Sequence, residues 1–132
     1  MHLIDKLAWI EIQDNRILLT RSYGKDKYYI PGGKRELGET DAQALLREIS
    51  EELSVTIDES SLQFVGVFTA QAHGQPAGVF VKMTCYTGEY LGELKARSEI
   101  EAIRWFAYFE KDQVVGVDQL IFDHLHQNAL LG

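Results

Sequence analysis

Four glutamates, Glu39, Glu48, Glu51 and Glu52, define the chemistry open to this sequence. Glu48, Glu51 and Glu52 lie within the helical pattern Thr40 to Ser54. At about 100° of turn per residue, their three- and four-residue steps confine them to an arc of roughly 100°. Like charges at that spacing repel by about a few tenths of a kcal/mol per pair, and Arg47, one step away, offsets only part of it. A hard divalent cation over this face reverses the sign, because it takes carboxylate oxygens, keeps several waters and bridges to phosphates. Just upstream, Gly32 and Gly33 allow a sharp backbone turn that exposes carbonyls or amides beside the helix. Glu39, ahead of the helix, can fold back toward the acidic face. The expectation is a loop–helix unit that gathers four carboxylates around one point, as metal-assisted phosphoryl chemistry requires. Alone, the helical triplet would read as a solvated face; Gly33, Glu39 and Arg47 in register favour the metal site.

The elements that must position this unit read as follows. Leu3 to Ile12 is a β-type run, and Asp14-Asn15 supplies two residues that accept positive φ before Ile17-Leu18-Leu19, a hairpin signal. Arg21 to Lys27 reads as a loop, and Tyr28-Tyr29-Ile30 as a short strand stopped by Pro31. The helix Thr40 to Ser54 opens on a capping box, Thr40 with Gln43, and carries Ala42, Leu46, Ile49 and Leu53 as its apolar stripe. Strands follow at Leu62 to Thr69, Val79 to Thr87 and Ile100 to Phe106. Gln75 to Gly78 makes a turn and Gly88 to Ser98 a charged loop. Asp118 reads as the N-cap of a last helix ending near Leu130, with Leu120, Ile121, Leu125 and Leu130 as its apolar side. Strands interrupted by one early helix and closed by a late one predict an α/β fold, a mixed sheet flanked by helices.

Gly33 to Val55 resembles the 23-residue signature of the Nudix hydrolases, G-x5-E-x7-R-E-U-x-E-E-x-G-U with U a bulky apolar residue. Gly33, Glu39, Arg47, Glu48, Ile49, Glu51, Glu52 and Val55 match at the required spacing, whereas Ser54 stands where the family has a glycine that ends the helix. The resemblance implies a Nudix-type α/β/α sandwich and a Mg²⁺- or Mn²⁺-dependent hydrolase of a diphosphate linkage in a nucleoside diphosphate derivative. A normal or oxidised nucleoside triphosphate is the most economical substrate. Carried over by position, Glu52 with Glu48 or Glu51, and the Gly32 carbonyl, would hold the metal. Arg47 would orient the carboxylates. The general base would be Glu48 or Glu51, or a later-loop acid, Glu99 first and Glu93 second. The alternative is a catalytically silent Nudix fold that binds or senses a nucleotide.

Other residues complete the substrate-side expectation. Arg21, with Lys25 and Lys27, is placed to meet phosphates, and Gly32 and Gly33 to approach the substrate. Asp118, or Gln119, is a candidate to read a base edge, and Tyr23, Tyr28 or Phe68 to stack on a base. His124 and His126 face different directions on their helix and make no metal pair. The length of 132 residues suits one domain spanning 1–132. A net charge of −7 argues against long nucleic acid and anionic membranes. Acids inside the first apolar stretch argue against a secretory signal, and the lone Cys85 suits a reducing, cytoplasmic setting. A small nucleotide is the expected partner. The family resemblance also permits a homodimer.

Overall fold

The computed structural model describes residues 2–132. A four-stranded sheet runs in the order β4 (Gly32–Lys34), β1 (His2–Trp9), β7 (Val79–Thr87), β6 (Gln63–Gln71). Within it β1 and β7 are parallel and the other pairs antiparallel. A three-stranded sheet is ordered β2 (Ile12–Gln13), β3 (Arg16–Ser22), β9 (Ile100–Phe106), and β5 (Thr56–Ile57) pairs with β8 (Tyr90–Leu91). Asp14 and Asn15 take φ of 50° and 62°, the positive-φ hairpin that their residue types predict.

Two helices cover opposite faces of these sheets, so the central strands are buried on both sides. Leu7 and Trp9 of β1 and Leu18 of β3 pack with Leu45, Ile49 and Leu53 of α1 (Asp41–Leu53). Their neighbours Ala8, Ile10, Ile17 and Leu19 pack with Val117, Ile121, Phe122 and Leu125 of α2 (Val117–Gln127). Strands buried on both faces read as unbroken apolar runs, which is why Ile17-Leu18-Leu19 has no polar alternation. The α/β/α sandwich follows from this two-sided burial.

α1 forms the predicted capping box: Gln43 N–H donates to Thr40 Oγ1 at 3.2 Å, and Thr40 N–H to Gln43 Oε1 at 2.9 Å. Its first turn is clamped to the sheet by one guanidinium. Arg35 donates to Asp5 of β1 at 3.0 Å and to Asp41 at 2.6 Å. The Tyr86 hydroxyl of β7 donates to the other Asp41 oxygen at 2.6 Å.

Several local expectations are corrected. Tyr28-Tyr29-Ile30 makes only a single bridge, Thr20 to Tyr29, and the strand forms at Gly32–Lys34 instead. Glycine permits this: a Cβ on Gly32, at φ +145°, would lie 1.9 Å from the Leu7 carbonyl oxygen of β1. The buried stripe of α1 is Ala44, Leu45, Ile49 and Leu53, with Ala42 and Leu46 only half-buried, because the face turned to the sheet is rotated about the helix axis from the one the sequence suggested. The charged loop contains β8, paired to β5. α2 is capped at Gly116, and its core side is Val117, Ile121, Phe122 and Leu125, leaving Leu120 and Leu130 exposed. Among the described residues no helix is long and apolar enough to cross a membrane.

Candidate active site

The C-terminal half of α1 faces the end of a cleft of about 730 Å³, a size suited to a small molecule. Gly32, Gly33, Glu48, Glu52 and Glu99 meet at this end. Glu52 is buried at 6% exposure and accepts a hydrogen bond from Gly32 N–H at 3.2 Å. Burial, reinforced by the Glu48 and Glu99 carboxylates, raises its carboxyl to about 8 despite that bond. Burial also raises Glu48, against the opposing pull of Arg47. Two crowded carboxyls held against their preferred charge state are the electrostatic demand of a cation site.

Arg47 organises the loop ahead of the helix. Its Nε and Nη2 grip both oxygens of Glu39 at 2.7 and 2.9 Å, Nη2 also donates to the Lys34 carbonyl at 3.1 Å, and Nη1 to Glu48 at 3.1 Å. The fork holds the Glu39 carboxyl down to about 2, with help from Glu36 N–H. Glu39 therefore serves Arg47 and does not join Glu48 and Glu52. Glu51 is half-exposed, its side chain 3.5 Å from Arg47 Nη1. The four acids do not converge on one point: among the described residues no three acids, histidines or cysteines are gathered closely enough to hold an ion alone. The donor set that the geometry does offer is Glu48 and Glu52 with the backbone at Gly32 and Glu99 alongside. Gly33 leaves room for it, since a Cβ there would lie 2.3 Å from Glu48 Oε1.

A NUDIX domain model matches residues 6–119. The chain belongs to the Nudix family. It is 40% identical over 57 residues to the 8-oxo-dGTP diphosphatase of Escherichia coli, covering 40% of this chain and 44% of that protein. It is 30% identical over 115 residues to the ADP-ribose pyrophosphatase of Methanocaldococcus jannaschii, covering 85% of this chain and 63% of that protein. The chain thus matches less than two-thirds of the length of either relative. The crystal structure of a MutT NUDIX hydrolase from Burkholderia pseudomallei superposes with a TM-score of 0.77 at 21% identity, over 95% of this chain and 99% of that one. This likeness supports the fold.

Within the Nudix frame, the substrate-side expectations divide. Lys25 and Lys27 line the cleft, joined by Lys6 and Lys34. Arg21 does not line it: its guanidinium is held by Glu101 at 2.7 Å and the Lys25 carbonyl at 3.1 Å. Glu93 is exposed beside Lys95, away from the cleft. Tyr23 is exposed, Tyr28 packs on Phe106, and Phe68 packs on His124, so none of the three offers a stacking face in the cleft. His126 stacks on Tyr108, apart from His124.

Asp118 is not the helix cap. It lies in the first turn of α2, fully buried, and accepts Ile30 N–H on Oδ2 at 3.1 Å, while Oδ1 has no partner. Burial raises its carboxyl to about 7. Asp118 lines the cleft wall, on the substrate side where the sequence placed it, while its burial and its unsatisfied oxygen were hidden from residue type alone. Tyr29, Ile4, Val81 and Met83 also line the wall and were missed. Alternation along β1 and β7 places Ile4, Val81 and Met83 on one face. Their juxtaposition needs the parallel β1–β7 pairing, which no local signal announces.

Proposed function

We propose that this Nudix chain is a divalent-metal-dependent hydrolase of a diphosphate linkage in a nucleoside diphosphate derivative, with a nucleoside triphosphate, normal or oxidised, as its first substrate class. The observation that carries the reading is the buried Glu52, crowded by Glu48 and Glu99 at the end of a cleft whose wall bears Lys6, Lys25, Lys27 and Lys34. The named activities of the two relatives, on 8-oxo-dGTP and ADP-ribose, support the substrate class.

Glu48 and Glu52, with the Gly32 carbonyl, would hold Mg²⁺ or Mn²⁺, and Glu51, which lies against Arg47, would have to turn inward to join them. When bound, the ion supplies charge neutralisation on the phosphate oxygens and lowers the cost of in-line attack. Glu99 takes the proton of the attacking water, with Glu48 and Glu51 the box alternatives. Arg47 touches no substrate and fixes Glu48 and the Lys34–Glu39 loop. Gly32 and Gly33 bring the backbone close to the phosphates. The cleft lysines would meet phosphate charge, and the unpartnered Asp118 oxygen, covered in this structure, would have to be uncovered by the substrate to read a base edge through the proton it holds below about pH 7. A monomer and a homodimer are both compatible with this site, and the reducing interior of a cell suits its buried Cys85.

The test is a panel of triphosphates, nucleotide sugars and dinucleoside polyphosphates assayed with Mg²⁺ and with EDTA, for wild type and Glu52→Gln. Mg²⁺-dependent release of phosphate or pyrophosphate, lost in EDTA and reduced at least about 1,000-fold in Glu52→Gln, is expected. Full activity of Glu52→Gln refutes the metal role. Nucleotide binding without turnover across the panel establishes the silent alternative.

A further inference from the structure

The end of α1 is tied to the segment that delivers Glu99, and two serines make part of the tie. A helix leaves its last carbonyls without partners of its own. Here one loop takes three in succession. Ser98 Oγ donates to the Glu51 carbonyl at 3.1 Å, Arg97 N–H to that of Glu52 at 2.9 Å, and Lys95 N–H to that of Leu53 at 3.0 Å. The tie is reciprocated, because Ser54 Oγ donates to the Lys95 carbonyl at 3.3 Å. On the far side Tyr23 N–H donates to the Glu99 carbonyl at 2.8 Å, so the backbone of Glu99 is held from both directions.

Both serines sit where glycine is the easier residue. Ser54 has φ +66° and Ser98 φ +54°, in the left-handed region that disfavours a Cβ. Ser54 also replaces the glycine of the Nudix signature. Each accepts the strained conformation and uses the hydroxyl that glycine lacks to bond across the junction. Strain retained on both sides of the junction, each serine donating its hydroxyl to a carbonyl across it, points to a requirement beyond ending the helix.

We propose that Ser54 and Ser98 are positioning residues that hold Glu99 against Glu52 for the hydrolytic step. The proposal rests on the assignment of Glu99 to that step. It makes an opposite-sign forecast for one substitution. Ser54→Gly relieves backbone strain, so a purely structural cap predicts equal or higher Tm and unchanged turnover. Positioning predicts equal or higher Tm together with a kcat about tenfold lower, a KM within about twofold, and faster amide exchange at Arg97 and Ile100. Ser98→Gly should behave alike and supplies a second variant.

The deciding experiment is a double-mutant cycle with Glu99→Gln, read by kcat and by amide exchange on the protein without nucleotide. Ser54→Gly should cost nothing further once Glu99 is gone. An undiminished kcat in Ser54→Gly and Ser98→Gly beside an impaired Glu99→Gln overturns the role of the serines and leaves that of Glu99 standing. Full activity of Glu99→Gln removes the role of Glu99, and with it this proposal. Unchanged exchange at Arg97 in both serine variants overturns the tie itself, whatever the substrate.

Discussion

Gly32 and Gly33 are neighbours with different duties, and alanine at each should separate folding from chemistry. At Gly32 an added Cβ meets backbone, 1.9 Å from the Leu7 oxygen and 2.9 Å from Ala8 Cα, at φ +145°. Strands β1 and β4 would have to part. Strained φ costs about 1–3 kcal/mol and overpacking about 1–3 kcal/mol, together about 2–6 kcal/mol of a total of roughly 5–15. At roughly 3–5 °C per kcal/mol for a chain of this size, Tm should fall by about 6–30 °C. At Gly33 the nearest atoms to the Cβ all belong to the Glu48 carboxylate, at 2.3 to 2.6 Å. That group is the tip of a flexible side chain and can swing aside for about 1 kcal/mol. A displacement on the order of 1 Å at a reacting group costs up to about 100-fold in rate. Gly33→Ala should therefore melt within about 5 °C of wild type and lose about 100-fold in kcat. Thermal unfolding and steady-state hydrolysis, run on both variants, provide the check. A fully active Gly33→Ala, or a Gly32→Ala that melts with wild type, would refute the reasoning.

Asp118 and Arg47 give two further tests. Because the folded state raises the Asp118 carboxyl to about 7, it keeps a proton that the unfolded chain loses near pH 4. This contribution is thus most favourable below the unfolded value and is lost as pH rises to about 7. Asp118→Asn should gain on wild type by on the order of 2 kcal/mol more at pH 8 than at pH 5, read from paired denaturant curves. A pH-independent difference would count against it. Arg47→Lys cannot reproduce the fork that grips Glu39 while reaching Lys34 and Glu48. Its kcat should drop about tenfold with a Tm loss of only a few degrees, and an unaltered kcat would deny Arg47 its orienting role.

Features fixed by near neighbours were legible in the sequence. The Thr40–Gln43 box, the Asp14–Asn15 turn and α1 itself depend on contacts a few residues long, and all three formed. The acidic face of α1 was legible as a pattern but not as a geometry. An arc of three glutamates does not say which carboxylate is turned in; the helix faces the sheet so that Glu52 is buried against Gly32 while Glu51 stays half-exposed. Glu99 could be suggested from the sequence, yet its arrival beside Glu52 depends on the loop that caps α1. Asp118 shows the limit most sharply. Its residue type and place announced a helix cap, while its actual partner, Ile30 N–H, lies 88 residues away. The cleft wall was equally hidden, because β1 and β7 meet in parallel across some 70 residues of intervening chain.

The clamp at the first turn of α1 uses Asp5, Arg35, Asp41 and Tyr86, and none of these side chains lines the cleft. The parts that grip the helix are thus separate from Ile4, Tyr29, Met83 and Asp118, which line the cleft. If the proposed function holds, substitutions on that wall would alter which leaving group is accepted while the carboxylates keep their places. Descendants of such a chain can change diet without rebuilding the machinery that digests, and an engineer altering selectivity has the same freedom.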